Sequence, residues 1–239
     1  FGEGEERRVV LDGVSVDIRE GEFVAVMGPS GSGKSTLLHA LSGMDRIDGG
    51  RVIFGGRELS SASEKELAEI RRAQMGFVFQ QPTMLKNLNL LDNIILPAMR
   101  DNRRNAKNIV AKARKLMARA GISGLEQRDI TQVSGGQLQR AGICRALINH
   151  PKIVFGDEPT GALNSKSSQE IMHLLADINA EGTAVMLVTH DAKVAAWAER
   201  ILFMRDGQIV SELTLSRYDG TGMDDRVEHV ARTMIELDV

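Results

Sequence analysis

Short apolar runs recur along this chain, and segments whose apolar residues repeat at every third or fourth position lie between several of them. Runs of strand length occupy residues 14–18, 22–27, 51–54, 75–79, 152–155, 184–189, 201–205 and 208–213. Buried strands that alternate with helices indicate a mostly parallel sheet with helices on its faces. The first two runs predict instead a pair of antiparallel strands. Asp206-Gly207, between the last two runs, predicts a two-residue hairpin turn.

Other segments have the apolar spacing of helices. Residues 36–43, "TLLHALSG", have that spacing and end at a glycine that stops a helix. In residues 106–120 the apolar positions recur at steps of three and four, which predicts an amphipathic helix. The same spacing returns near the C-terminus at Val227, Val230, Ala231, Met234 and Ile235. We expect this last helix to pack on the domain or on a partner, and we interpret Trp197 and Tyr218 as packing residues.

The composition of the 239-residue chain fits one α/β domain and argues against several other classes of protein. Hydrophobic residues make up 42%, and a net charge of −2 at pH 7 gives no reason to expect nucleic acid as a partner. A single cysteine, Cys144, excludes an intrachain disulfide and a thiolate cluster, and it favours a reducing, cytosolic setting. Because the apolar runs are shorter than the ~18 residues that cross a bilayer, the sequence predicts no membrane span.

A glycine-rich loop, "GPSGSGKST", lies between the apolar run at 22–27 and the helical segment that follows. It fits the phosphate-binding pattern G-x-x-x-x-G-K-[ST] without a mismatch. The alternative, a glycine-rich turn between a strand and a helix with an incidental lysine, does not explain this complete match. The glycines of the loop allow successive backbone N–H groups to face phosphate oxygens, next to the positive end of a helix. We expect Lys34 to contact the β- and γ-phosphates and the Ser35 hydroxyl to bind Mg²⁺. The residues expected to bind a nucleoside triphosphate here are Gly28, Ser30, Gly31, Ser32, Gly33, Lys34, Ser35 and Thr36.

Two acidic residues, Asp157 and Glu158, follow the apolar run at 152–155. Parallel strands carry their C-terminal ends to the same edge of a sheet, so these carboxylates should lie beside the phosphates. We expect Asp157 to help hold Mg²⁺ and Glu158 to polarise an attacking water. An Asp-Glu pair alone is common in ordinary turns, but together with the loop it favours hydrolysis of the γ-phosphate over its transfer to a second small substrate.

A second stretch that could bind an anion begins at Ser134-Gly135-Gly136-Gln137, where a helix is expected to start. Serine and glycine at a helix start leave free N–H groups beside the positive end of the helix dipole. The alternative is an ordinary serine N-cap, and the stretch taken by itself favours that alternative.

The three motifs together resemble those of the ATP-binding cassette (ABC) ATPases. "SGGQLQR" begins 100 residues after Lys34, and "DEPTGAL" begins 23 residues after Ser134. The resemblance extends to about residue 213. It implies an α/β P-loop NTPase core with a mostly parallel sheet, an N-terminal antiparallel β-subdomain and an inserted α-helical subdomain at about 84–150. A C-terminal extension at about 214–239 would complete a single nucleotide-binding domain.

The resemblance also implies roles for single residues. Gln80 matches the family's glutamine loop, which implies a contact with Mg²⁺ and water and a hinge to the helical subdomain. His190 matches the switch histidine that contacts the γ-phosphate, whereas a lone histidine after a strand is otherwise a structural residue. Phe1 lies where the family carries an adenine-stacking aromatic residue, usually Tyr, and the alternative is a frayed chain end.

Two positions depart from the family's pattern. Val133 stands where the signature stretch usually has Leu, a change that should leave the anion contacts intact. Asn164 stands where the loop after "DEPTG" commonly ends in Asp, which removes a charge. We expect coupling between sites to differ at Asn164 without a loss of hydrolysis.

The family resemblance implies partners. Two protomers, identical or closely homologous, would face head-to-tail and enclose two ATP molecules. Each ATP would lie between one chain's loop and the partner's serine-glycine helix start. The segment that follows Gln80 would dock on a transmembrane permease, and "NIILPAM" is similar to the macrolide-export, lipoprotein-release, antimicrobial-peptide and cell-division branch. The resemblance thus implies a Mg²⁺-dependent ATPase in the cytoplasm, peripheral at the inner face of the cell membrane.

Two other functions compete with this interpretation. A non-transport ABC ATPase would act on DNA or the ribosome, but such members insert a long coiled coil or carry two cassettes in one chain. Only 123 residues separate Lys34 from Asp157, which leaves no room for that coiled coil. A P-loop kinase for a small molecule would leave "SGGQLQR" unexplained.

Overall fold

The computed structural model describes residues 9–100 and 102–239. The strands are β1 (Phe23–Met27), β2 (Ile53–Phe54), β3 (Arg57–Glu58), β4 (Met75–Phe79), β5 (Ile153–Asp157), β6 (Ala184–Val188), β7 (Arg200–Arg205) and β8 (Gln208–Thr214). The helices are α1 (Lys34–Leu41), α2 (Glu64–Gln74), α3 (Leu90–Met99), α4 (Ala106–Arg119), α5 (Gly135–Leu147), α6 (Ser165–Ala180), α7 (Ala192–Ala195) and α8 (Met223–Leu237).

The central sheet has the strand order β4-β5-β6-β1-β7-β8. Neighbouring strands from β4 to β7 run parallel, and β8 returns antiparallel to β7. In the middle of the sheet, Ala25 lies opposite both Leu187 and Ile201. This arrangement confirms the predicted α/β class and brings the C-terminal ends of β1, β5 and β6 to one edge.

Strand β1 is apolar throughout because both of its faces are buried. Side chains of successive residues point to opposite faces of a sheet, and both faces are covered by helices here. Ala25 and Met27 join the core on the side of α3 to α8, whereas Val24 and Val26 join the core formed with α1 and α2. Each of these side chains is fully buried.

The strand predicted at residues 14–18 is wrong, and so is its antiparallel pairing with β1. Val14, Val16 and Ile18 are half-buried against the core of α1 and α2, but the segment belongs to none of the described strands. The alternating pattern thus arises because one side of the segment is covered by the core, and the segment forms no hydrogen-bonded ladder with a described strand. Among the described residues of the N-terminal half, the strands that pair with each other antiparallel are β2 and β3.

Helices α3, α4 and α5 form the helical part of the fold. The predicted amphipathic helix at 106–120 is confirmed as α4, which buries Ile109, Ala113 and Met117 at successive four-residue steps. Lys112 of this helix donates a hydrogen bond to the carbonyl oxygen of Ile148, just after α5.

The C-terminal region follows the prediction closely. Asp206 and Gly207 both have positive φ values, 48° and 79°, as the two-residue hairpin between β7 and β8 requires. Helix α8 packs on the domain through Val230. Across the described residues, none of the helices combines the length and the hydrophobicity needed to cross a bilayer.

Candidate nucleotide-binding site

The glycine-rich loop connects β1 to α1 and lies tightly against the β7–β8 hairpin. A Cβ atom at Gly28 would overlap the carbonyl oxygen of Met204. Gly33 has a φ of 98°, and a Cβ atom there would lie 2.9 Å from the carbonyl oxygen of Val10. Glycine is therefore required at both positions by the close approach of neighbouring backbone.

Lys34, the first residue of α1, folds back over this loop. Its Nζ donates hydrogen bonds of 2.8 Å to the carbonyl oxygens of both Gly28 and Pro29. Burial lowers the pKa of the Lys34 ammonium, and the nearby carboxylates of Glu158 and Asp157 oppose that shift. The ammonium is held ready at the loop, where it could exchange these carbonyl contacts for phosphate oxygens.

Ser35 and Asp157 meet although they lie far apart in the sequence. The Ser35 hydroxyl donates a 3.0 Å hydrogen bond to Oδ1 of Asp157, the last residue of β5. The parallel sheet produces this contact because β5 and β1 end at the same edge. The predicted approach of a carboxylate to the phosphate loop is thereby observed.

Glu158 and His190 form the second polar pair at this edge. Nδ1 of His190 lies 2.6 Å from Oε1 of Glu158. The His190 side chain is 71% exposed, whereas that of Glu158 is 21% exposed. Gln80 lies close by, because a Cβ atom at Gly161 would be 2.9 Å from its Nε2 and 3.3 Å from Oε2 of Glu158.

These residues surround an open cleft of about 690 Å³. Most of the predicted phosphate loop lines it, together with Gln80, Glu158 and His190, and so do Val10 and Val188, which no sequence pattern had indicated. Phe1, the predicted adenine contact, lies outside the described residues.

The site fits a phosphorylated ligand. The Ser32 side chain is 3% exposed, and among the described residues none forms a hydrogen bond with its hydroxyl oxygen. Buried polar groups in proteins normally have a partner, so this hydroxyl is a free donor within the loop. An oxyanion of a bound phosphate would supply the missing acceptor.

The donor set also fits Mg²⁺. Ser35, Gln80 and Asp157 offer hydroxyl, amide and carboxylate oxygens, the hard ligands that Mg²⁺ prefers. Within the described part of the chain, no three His, Cys, Asp or Glu side chains form an all-protein metal site. The arrangement therefore suits an ion that is shared between the protein and substrate phosphates.

The start of α5 lies apart from this cleft. The Ser134 side chain accepts a hydrogen bond from the backbone N–H of Gln137, and the Gln137 side chain accepts one from the N–H of Ser134. Serine N-capping is therefore observed. It leaves the N–H groups of Gly135 and Gly136 without intrahelical partners. Of the described residues that line the cleft, none belongs to 134–137.

A residue that sequence reasoning missed connects α5 to the site. Gln139 is 1% exposed, and its Nε2 donates hydrogen bonds of 2.9 Å to Phe79 O and 2.7 Å to Pro159 O. These carbonyls directly precede Gln80 and directly follow Glu158. The signal available in the sequence was a polar residue on the buried face of a helix.

Comparison with known proteins gives a consistent result. A family model described as "ABC transporter" matches residues 11–161. The macrolide export ATP-binding/permease protein MacB of Pasteurella multocida is 42% identical over 212 residues, which are 89% of this chain and 32% of MacB. The ABC transporter ATP-binding protein MJ1508 of Methanocaldococcus jannaschii is 44% identical over 88% of this chain and 93% of its own length.

Solved structures are similar as well. The dimeric ATP-binding cassette MJ0796 in a post-hydrolysis state, bound to ADP and Pi, has a TM-score of 0.82 and 38% sequence identity. That likeness covers 91% of this chain and 96% of the MJ0796 chain. By contrast, this chain spans about a third of the length of MacB.

Proposed function

This chain belongs to the ABC transporter family, and from that premise we propose that it hydrolyses ATP to drive a transmembrane permease. The observation that carries the proposal is that Lys34, Ser35, Glu158 and His190 line one cleft. Asp157 joins them through its hydrogen bond from the Ser35 hydroxyl. The residues that we assign to the phosphates, to Mg²⁺ and to the attacking water thus lie at one edge of the sheet.

Substrate binding is assigned to the loop from Gly28 to Thr36. Backbone N–H groups and the Ser32 hydroxyl would face the phosphate oxygens, and the Lys34 ammonium would contact the β- and γ-phosphates. Ser35, Gln80 and Asp157 would hold Mg²⁺. The ion would neutralise part of the negative charge that develops on the phosphates during bond cleavage.

Hydrolysis is assigned to Glu158 and His190. Glu158 would accept a hydrogen bond from the attacking water and increase the negative charge on its oxygen. The new bond joins the water oxygen to the γ-phosphorus, and the bond from that phosphorus to the β–γ bridging oxygen breaks. The water proton would pass to Glu158 and from there to the released phosphate, so ADP and phosphate leave. His190, whose ring is largely exposed beside Glu158, would contact the γ-phosphate.

Dimerisation would complete the site. One chain's cleft lacks the start of α5 among its described lining residues, while the N–H groups of Gly135 and Gly136 remain available at that helix start. We assign these groups to the γ-phosphate bound by a second copy or a close homologue. The dimeric state of the MJ0796 cassette supports this assignment. ATP would close the dimer, and hydrolysis would release it.

The permease partner is supported by the MacB relative, which is an export ATP-binding/permease protein. We place the contact on the segment after Gln80, where Leu85 and Leu96 are exposed large apolar residues. Through that partner the chain would lie at the inner face of the membrane, in the cytoplasm. The MacB relative favours this function over a role on DNA or the ribosome.

The test is phosphate release from ATP by the purified protein, with and without Mg²⁺. We expect Mg²⁺-dependent turnover that Lys34→Ala reduces by at least about 100-fold, since the variant loses a charge at the phosphates. Lys65→Ala, which changes an exposed lysine on α2, serves as the matched control. Turnover that is absent in the wild type, or equal in both variants, would contradict the proposal.

A further inference from the structure

The C-terminal helix α8 is joined to the rest of the domain by a buried arginine. Arg226 lies in the first turn of α8 and is 8% exposed. Its guanidinium donates hydrogen bonds of 2.7 Å to Ala196 O, 2.8 Å to Ala198 O and 2.7 Å to Ser216 O. Arg226 thus connects α8 with the segment that follows α7.

His190 lies two residues before helix α7. This helix has only four residues, Ala192–Ala195, and Asp191 caps its start by accepting a hydrogen bond from the N–H of Lys193. A helix this short has little stability of its own and depends on tertiary contacts. The carbonyl groups after its last turn need donors, and Arg226 supplies two of them.

Aromatic contacts strengthen the same connection. The Trp197 ring packs edge-on against the rings of His173, in α6, and Tyr218. The distances between ring centres are 4.7 Å and 4.8 Å. The guanidinium of Arg226 lies 5.6 Å from the centre of the Tyr218 ring. The segment from Ala196 to Ala198 is therefore held by hydrogen bonds from Arg226 and by the ring contacts of Trp197.

The His190 side chain, in contrast, has little packing around it. It is 71% exposed, and its described polar contact is Oε1 of Glu158. The position of the ring is consequently set by the backbone from Thr189 through α7. That backbone is held at one end by the pairing of β6. At the other end Arg226 acts together with the 2.9 Å hydrogen bond from the N–H of Glu199 to the carbonyl oxygen of Phe23.

We propose that Arg226 is a positioning residue for His190. It holds the C-terminal end of α7 so that the imidazole stays at Oε1 of Glu158. The role of His190 in ATP hydrolysis, on which the kinetic part of this inference rests, comes from the proposed function. Because the phosphate loop from Gly28 to Thr36 makes none of the described contacts to Arg226, losing the arginine should slow turnover without weakening nucleotide binding.

The test compares Arg226→Met with Arg232→Met, which removes an exposed arginine of the same helix whose partner is Glu236. For Arg226→Met we expect kcat to fall by between about 10- and 100-fold, the range that a small misplacement of a reacting group produces. KM for ATP should stay within about twofold of the wild-type value, because the contacts that bind ATP before the reaction are unchanged. Arg232→Met should match the wild type in both parameters.

A double-mutant cycle separates positioning from a general loss of structure. In the His190→Ala background, adding Arg226→Met should change kcat by less than about twofold, because residues that act through one another are not additive. An equal loss of kcat in both backgrounds would overturn the inference. So would an unchanged kcat in Arg226→Met.

A second measurement does not need turnover. The ring C–H signal of His190 in a proton–carbon NMR spectrum can be assigned by its loss in His190→Ala, since the chain has five histidines. We expect this signal to move in Arg226→Met and to keep its position in Arg232→Met. If Arg226→Met does not fold, the His190 signal is measured in Arg226→Lys instead. This variant keeps the positive charge, but its side chain cannot reach all three carbonyl groups.

The outcomes distinguish this inference from the proposed function. A wild-type protein without ATPase activity contradicts the proposed function, and the NMR comparison then decides the inference alone. An active wild type whose His190 signal is the same in the Arg226 variant overturns the inference and leaves the proposed function standing.

Discussion

His190 and Glu158 are joined across the edge of the sheet by a contact of 2.6 Å between Nδ1 and Oε1. Glu158 has a φ of 49°, in the left-handed region, and its N–H donates a 2.9 Å hydrogen bond to the carbonyl oxygen of Val188. A residue other than glycine in that region costs on the order of 1 kcal/mol and is often found at functional sites. The backbone thus holds the carboxylate toward the cleft.

The first prediction concerns Glu158→Gln. The amide keeps the shape of the side chain but is a far weaker base, so kcat should fall by about 100- to 10,000-fold. Because ATP is then bound without being cleaved, the variant should form an ATP-dependent dimer that light scattering detects.

Glu228→Gln, at an exposed position of α8, is the matched control and should turn over like the wild type. A Glu158→Gln protein that stays monomeric in saturating ATP would count against the dimer.

The second prediction concerns Gly135→Asp at the start of α5. A Cβ atom at Gly135 would have its nearest neighbour, Leu163, 3.9 Å away, so the side chain fits. A carboxylate in the first turn stabilises the helix by about 0.3–1 kcal/mol through its interaction with the helix dipole. The same negative charge would repel a phosphate bound at this helix start. The melting temperature should therefore stay unchanged while ATPase activity falls at least about tenfold. Gly135→Ala, which adds no charge, should lose much less ATPase activity.

Mixing Gly135→Asp with Lys34→Ala tests which chain supplies each half of the site. In a head-to-tail dimer the mixed pair has one intact site, so a random mixture should recover about a quarter of the wild-type activity. No recovery after subunit exchange would show that both motifs act within one chain.

The third prediction concerns Gln139→Met. The substitution leaves Phe79 O and Pro159 O buried without their donor, which should lower the free energy of unfolding by on the order of 2–4 kcal/mol. Urea unfolding measures this change, and kcat should fall as well because the segments around Gln80 and Glu158 lose their connection. Gln127→Met, at a loop position where the hydrogen bond from Asn89 is exposed to solvent, should change both quantities far less.

The fourth prediction concerns pH. Burial raises the pKa of the Cys144 thiol from 9.0 to about 12. The unfolded chain therefore loses this proton at a lower pH than the folded one, and the stabilising contribution, complete below pH 9, declines as pH rises from 9 toward about 12.

The difference in unfolding free energy between the wild type and Cys144→Ala isolates this effect. It should fall by about 1.4 kcal/mol per pH unit above the unfolded pKa. A difference that does not vary over this range would show that Cys144 ionises equally in both states.

The resemblance to the ABC family and the α/β class were predicted from local patterns and are confirmed by the comparisons and the sheet. The roles of the site residues and the limits of the helical subdomain remain predictions. The phosphate loop was recognisable because its glycines and lysine are adjacent in sequence, and the strand ends were recognisable because buried parallel strands are apolar throughout.

The amino-acid sequence by itself determined where most strands and helices form, since spacing and turn residues act over a few positions. Only the tertiary structure decided that residues 14–18 pack without forming a strand, because strand formation depends on a partner ladder that spacing does not encode. It also decided the contacts of Gln139 and Arg226, whose hydrogen-bond partners lie at least 10 residues away in the chain. Such contacts arise from the packing of whole elements, and no local pattern specifies them.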